Sequence, residues 1–139
     1  MILRFAALAL IALSLPAPLA AQDLLDEITG YIEFEPYDSG IILPEQITED
    51  IWPSVTFVDT RNAEQFEAST IPGAVHIEWR EVPGRLDELP EDGKIVLFCN
   101  TGSLSAQAAF AARLLGRDNV VVLQSGFEGW QKTAAWRPE

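Results

Sequence analysis

The sequence predicts an α/β domain built on a parallel sheet with helices on both faces, and three observations carry this. From Val55 onward, short β-rich runs alternate with helical stretches, the order that crossover connections turn into a parallel sheet. Lys94-Ile95-Val96-Leu97-Phe98 and Val120-Val121-Val122-Leu123 are nearly all apolar rather than alternating, which suits strands covered on both faces. The chain has 139 residues, 48% of them apolar and 22% charged, which is enough for one domain with one core.

The elements follow in order. Residues 23–29 read as a short helix, with Asp23 as N-cap, Leu24, Leu25 and Ile28 as its apolar side and Gly30 as its stop. Residues 31–34 alternate like a strand, and residues 35–40 carry the loop formers Pro36, Asp38 and Gly40. Pro44 suits the first turn of a helix and Glu45 complements its dipole; that helix should end before Trp52-Pro53. Val55-Thr56-Phe57-Val58 is a strand closed by Asp59. Asn62 caps a helix over residues 63–68, with Gln65 as its capping-box partner. Pro72-Gly73 sets a turn before a short strand, Val75-His76-Ile77. Residues 80–93 read as a polar loop holding at most a short helix over residues 86–89. After the apolar strand 94–98, a helix over residues 104–115 stops at Gly116. The strand 120–123 and a terminal helix over residues 127–133 complete the pattern.

Charge and composition exclude several function classes. The formal net charge is -12, which repels phosphate backbones, so no nucleic-acid partner is expected. The same charge gives no long-range steering to small anions. Residues 1–21 read as a cleaved signal peptide: Arg4 supplies the positive start, residues 5–15 an apolar run broken only by Ser14, and Leu19-Ala20-Ala21 a small-residue cleavage site. The run is shorter than the roughly 20 residues of a membrane span, and Pro16 and Pro18 follow it. The expectation is therefore a periplasmic or secreted protein whose mature chain starts near Gln22, with no membrane span after cleavage. Its domain plan is an extension over residues 22–42 packed on a domain over residues 43–139. A single cysteine forbids an internal disulfide and a Cys-x-x-Cys motif, and one histidine leaves too few ligands for structural zinc.

The chemistry concentrates at Cys99. A buried strand delivers it to a carboxyl-end tip, where ligands of parallel sheets bind. Asn100-Thr101-Gly102-Ser103 is a tight turn of small residues, and a helix starts at once. Such a loop can aim several N–H groups inward and, with the positive helix end, cradle an anion. That field favours thiolate over thiol. Gly102 lets the backbone curl, and Ser103 and Ser105 can add hydroxyl donors. The plainer alternative is that Cys99 is a small hydrophobe ending a core strand, since free cysteine is commonly buried.

Several separated motifs resemble the rhodanese-like family. They are Val58-Asp59-Thr60-Arg61 with Glu64 and Phe66; Ile71-Pro72-Gly73-Ala74-Val75-His76-Ile77; Ile95-Val96-Leu97-Phe98-Cys99 with Gly102 and Ser105; and Val120-Val121-Val122-Leu123 with Gly126-Phe127 and Trp130. The resemblance implies a three-layer fold with a mostly parallel sheet of about five strands. It implies Cys99 as nucleophile, with Asn100, Thr101, Gly102, Ser103, Leu104 and Ser105 holding the substrate. Sulfane sulfur would pass from a donor, thiosulfate or a persulfide, to cyanide or a protein thiol. No metal and no cofactor beyond a transient cysteine persulfide are implied, and a monomer is expected.

Three positions depart from the family pattern. Leu104 stands where active members commonly carry arginine, Ser69-Thr70 replaces Gly-His, and Ser125-Gly126 replaces Gly-Gly. Leu104 removes a cation that would hold an oxyanion, so it points to a neutral or protein-borne donor or to weak thiosulfate activity. The alternative function is a catalytically weak sulfur carrier or docking module. A phosphatase-type reaction is disfavoured because no arginine follows Cys99 before Arg113. Asp59 and Arg61 are read as fixing the loop, His76 as structural, and Trp52, Trp79, Trp130 and Trp136 as packing.

Overall fold

The computed structural model describes residues 18–138, so the apolar run read as a secretion signal lies outside the described residues. The described residues fall into two units, divided between Glu33 and Phe34. The first contains most of helix α1 (Pro18–Phe34), which corrects two sequence expectations: Gly30 does not stop the helix, and residues 31–34 are helical rather than a strand. Leu24, Leu25, Ile28, Tyr31 and Ile32 recur at helical spacing across Gly30, and an interior glycine costs only about 1 kcal/mol, so periodicity prevails. Among the described residues no helix is long and apolar enough to cross a membrane.

The second unit is a parallel α/β sheet. Its strands are β1 (Ile41–Ile42), β2 (Val55–Asp59), β3 (Val75–His76), β4 (Lys94–Phe98) and β5 (Val120–Leu123), in the order β1-β5-β4-β2-β3 with every pair parallel. Sequence analysis missed β1, whose two residues are too few to show a period. It pairs at the sheet edge, Ile41 beside Val122 and Ile42 beside Leu123, so part of the segment read as an extension belongs to the sheet. The helices are α2 (Ala63–Ala68), α3 (Ser103–Leu114) and α4 (Gly126–Thr133).

Side-chain parity along the strands divides the core in two. Phe57, Val96, Phe98, Val121 and Leu123 face one side and pack with Phe127 and Trp130 of α4. Val58, Ile95, Leu97 and Val120 face the other and pack with Ala108, Ala109 and Ala112 of α3. Each large apolar side chain buried this way contributes about 1.5–3 kcal/mol. The alanine face of α3 lets the helix lie close to the sheet. Its last turn closes with Gly116 N–H on the Arg113 carbonyl (2.9 Å) and Arg117 N–H on the Ala112 carbonyl (3.0 Å), with Gly116 at φ 88° as the left-handed stop.

Two connections depart from regular structure. The helix expected from Pro44 is only a 3-10 turn, Pro44–Gln46. Gln46 folds its side chain back to accept the Leu43 N–H at 2.8 Å, and the Thr48 hydroxyl donates to Asp50 at 2.5 Å. Such local bonds compete with helix propagation, while Ile47 is drawn fully into the core. The polar loop after β3 holds two 3-10 turns, Val82–Gly84 and Leu86–Glu88. Arg117 donates to the carbonyls of Leu86 (2.6 Å), Leu89 (3.0 Å) and Pro90 (2.6 Å), and Asn119 to those of Pro90, Glu91 and Gly93, satisfying groups that no helix or strand takes.

Candidate active site

Cys99 follows the last residue of β4, and its backbone is fixed by the segment after β2 and by the start of α4. The Phe98 carbonyl accepts from the Thr60 N–H (2.8 Å) and from the Thr60 hydroxyl (2.9 Å), both buried. The first N–H groups of α4 face the loop: Phe127 donates to the Cys99 carbonyl (2.8 Å) and Glu128 to the Asn100 carbonyl (3.0 Å). Gly126 permits this approach. A Cβ there would lie 2.5 Å from the Cys99 carbonyl oxygen and 2.6 Å from that of Asn100, and its φ of 57° is left-handed. The end of α4 thus orients the thiol-bearing backbone rather than a ligand.

The thiol sits in a nest of donors at the head of α3. The Gly102 N–H points at Sγ from 3.2 Å and the Ser105 hydroxyl lies 3.6 Å away. Ser105 is completely buried, and its hydroxyl also reaches the Gly102 carbonyl at 3.0 Å, so its one proton can turn to Sγ when the thiol ionises. Gly102 caps α3 at φ 101°, a conformation that rotates its N–H inward. Burial works against ionisation of Cys99. The N–H and hydroxyl of Ser105, then the N–H groups of Thr101 and Leu104, outweigh it and hold the thiol below its ordinary pKa. Cys99 is only 3% exposed, so a reacting atom must enter the nest to reach it.

A cleft of about 290 Å³ opens over this loop. Of the six loop residues named by sequence analysis, Asn100, Thr101, Ser103 and Leu104 line it beside Cys99, while Gly102 and Ser105 lie beneath. The Asn100 side chain accepts from Arg61 Nη1 at 3.4 Å. The Leu104 side chain stands half-exposed at the rim while its N–H serves the thiol.

The cleft is also lined by Thr60, Arg61, Glu78, Trp79 and Arg80, of which sequence analysis read Arg61 as structural and Trp79 as packing and did not name Glu78 or Arg80. Arg61 is buried against Asp59, with Nη2 at 2.6 Å and Nε at 2.9 Å from the carboxylate, and it also donates to the Ser69 carbonyl at 2.6 Å. Thr70 adds a hydroxyl to Asp59 at 2.8 Å. The Arg61 guanidinium lies 4.4 Å from the Phe127 ring centre, tying this network to α4. His76 is outside the cleft: Nε2 donates to the Arg61 carbonyl at 2.8 Å and the ring stacks on Phe66. Trp79, read as packing alone, also forms part of the cleft wall. Among the described residues no group of His, Cys, Asp and Glu is arranged to hold a metal ion.

Comparison with known proteins agrees with this geometry. The thiosulfate sulfurtransferase GlpE of Pseudomonas syringae pv. syringae is 30% identical over 92 residues, which cover 66% of this chain and 87% of that protein. The Bacillus subtilis protein YrkF is 35% identical over 77 residues, 55% of this chain, but the match spans only 42% of its length. The human single-domain sulfurtransferase TSTD1 has the same fold, with a TM-score of 0.61 at 23% identity over 68% of this chain and 96% of that one. Residues 43–133 match the rhodanese-like domain as a family, and with two thirds of its length inside that match the chain belongs to the rhodanese-like family.

Proposed function

We infer that the chain is a sulfurtransferase that carries sulfane sulfur as a persulfide on Cys99. The observation that carries this is the donor nest around Sγ, which stabilises a thiolate and can receive a persulfide anion in the same place. With thiosulfate, the Cys99 thiolate attacks the outer sulfur, the S–S bond of the donor breaks with its electron pair leaving on sulfite, and Cys99 becomes a persulfide anion. In the second half, cyanide or a thiolate attacks the terminal sulfur, leaving as thiocyanate or a new persulfide, and the Cys99 thiolate returns. No net oxidation and no cofactor are required. Relatives named as thiosulfate sulfurtransferases favour turnover over the docking-module alternative, and they support a small sulfur donor with a thiol or cyanide acceptor as partners.

The loop of Asn100 to Ser105 is the substrate cradle in this reading, with backbone N–H groups doing the recognition near sulfur. The protein works exported, as a monomer, after cleavage near Gln22; Arg4, the apolar run 5–15 and Ala20-Ala21 support this. N-terminal sequencing of the protein recovered from a fractionated bacterial host checks it, and retention of Met1 in the cytoplasm overturns it. For sulfur transfer, intact mass after thiosulfate or a persulfide donor should rise by one sulfur atom. Cyanide should reverse the gain, and Cys99→Ser should abolish it. A reactive Cys99 that never gains sulfur would transfer the reading to a docking module.

A further inference from the structure

Three charged residues line the cleft with Cys99: Arg61, Glu78 and Arg80. Arg61 is 6% exposed and committed to Asp59, Ser69 and Asn100, so its charge is already neutralised by a buried carboxylate. Arg80 differs. The backbone brings it to the cleft, because Ile77 N–H bonds the Asp59 carbonyl (3.1 Å) and Trp79 N–H the Thr60 carbonyl (3.0 Å), laying the chain after β3 alongside the chain after β2. Glu78 then grips Arg80 through its N–H (3.1 Å), Nε (3.0 and 3.1 Å) and Nη2 (3.0 Å). The grip sets the direction of the guanidinium and leaves Nη1 outside the pair, on a side chain that is 72% exposed.

A donor whose sulfane sulfur enters the enclosed nest must leave its other end toward the cleft mouth. The nest offers N–H groups there but no cation, since Leu104 supplies only an apolar edge. We propose that Arg80 binds the oxyanion end of the sulfur donor, the sulfonate of thiosulfate or the carboxylate of a small persulfide, with Glu78 positioning its guanidinium and tempering its charge. The proposal rests on the sulfur-transfer reading and names its specificity residue. Planar guanidinium donors match sulfonate and carboxylate oxygens. Glu78 cancels part of the field, so it weakens the attraction of any anion at this site.

Equilibrium binding of thiosulfate to Cys99→Ser, with and without Arg80→Gln, tests the proposal without requiring turnover. Arg80→Gln should weaken binding about tenfold or more, the size of a lost charge-assisted bond. Glu78→Gln should tighten it, and added salt should weaken it only while Arg80 is present. In the Cys99 protein, Arg80→Gln should raise KM for thiosulfate with kcat little changed, and should spare the persulfide of 2-mercaptoethanol, which has no oxyanion end. Unchanged thiosulfate binding, or equal loss with both donors, overturns the proposal. If Cys99 never loads sulfur yet Arg80 still governs thiosulfate binding, the sulfur-transfer reading fails and the anion site stands.

Discussion

Two arginines line one cleft, and each is held by a carboxylate two residues before it, yet they do opposite things. Arg61 and Asp59 are 6% and 0% exposed; Arg80 and Glu78 are 72% and 19% exposed. Burial makes the first pair indispensable and chemically silent: every polar edge has a partner, and removing one leaves an unpaired charge in the core. Exposure makes the second pair weak as a brace, because water screens it, and leaves its cation available to a ligand. Sequence spacing alone does not separate them; their depth in the fold does.

The strongest way to break the comparison is to remove one member of the buried pair. Arg61→Leu should destabilise the domain by about 3–5 kcal/mol in denaturant unfolding, since Asp59 is left charged and buried. A loss no greater than that of a surface substitution would mean that the pair is not the brace described here. Next is Gly126→Ala, which places a Cβ 2.5 Å from the Cys99 carbonyl at a left-handed φ. It should lower the melting temperature, with strain of about 1–3 kcal/mol before the clash is counted, and slow Cys99 alkylation by displacing the loop.

Ser105→Ala should act on chemistry with a smaller effect on stability. The donors around Sγ favour thiolate and lower the Cys99 pKa; removing one hydroxyl favours the thiol, so the pKa moves up. The rate of alkylation against pH should therefore rise at higher pH in the variant than in the parent protein, whose midpoint lies below that of an ordinary thiol. A shift to lower pH would contradict the nest. Smallest in stability is Glu78→Gln. It should leave the unfolding curve nearly unchanged, because the carboxylate pairs with a solvent-exposed arginine. A marked drop in melting temperature would erase the distinction between the two pairs.

Much of the fold was legible because its signals are local or periodic. The apolar runs 94–98 and 120–123 suit strands covered on both faces, and the two core clusters bear this out by parity. Asn62 caps α2 by accepting the Gln65 N–H at 2.9 Å, and Gly116 ends α3, both written as residue types at set offsets. The small turn after Cys99 pointed to an anion cradle because only small residues let a backbone curl so tightly. Elements without a period were not legible. The strand Ile41–Ile42 is two residues long, and Pro44–Gln46 begins as a helix would before local side-chain bonds divert it.

By itself, the sequence determined the parallel α/β class, the placement of Cys99 at a strand tip and the composition of its loop, because these depend on hydrophobic pattern and turn chemistry within a few residues. Only the tertiary structure decided which N–H groups reach Sγ, that α4 anchors the loop through Cys99 and Asn100, and that of the two cleft arginines Arg80 is exposed while Arg61 is buried. Those outcomes depend on the register that sets Val75 beside Val58 and His76 beside Asp59, and that register belongs to the sheet rather than to either segment.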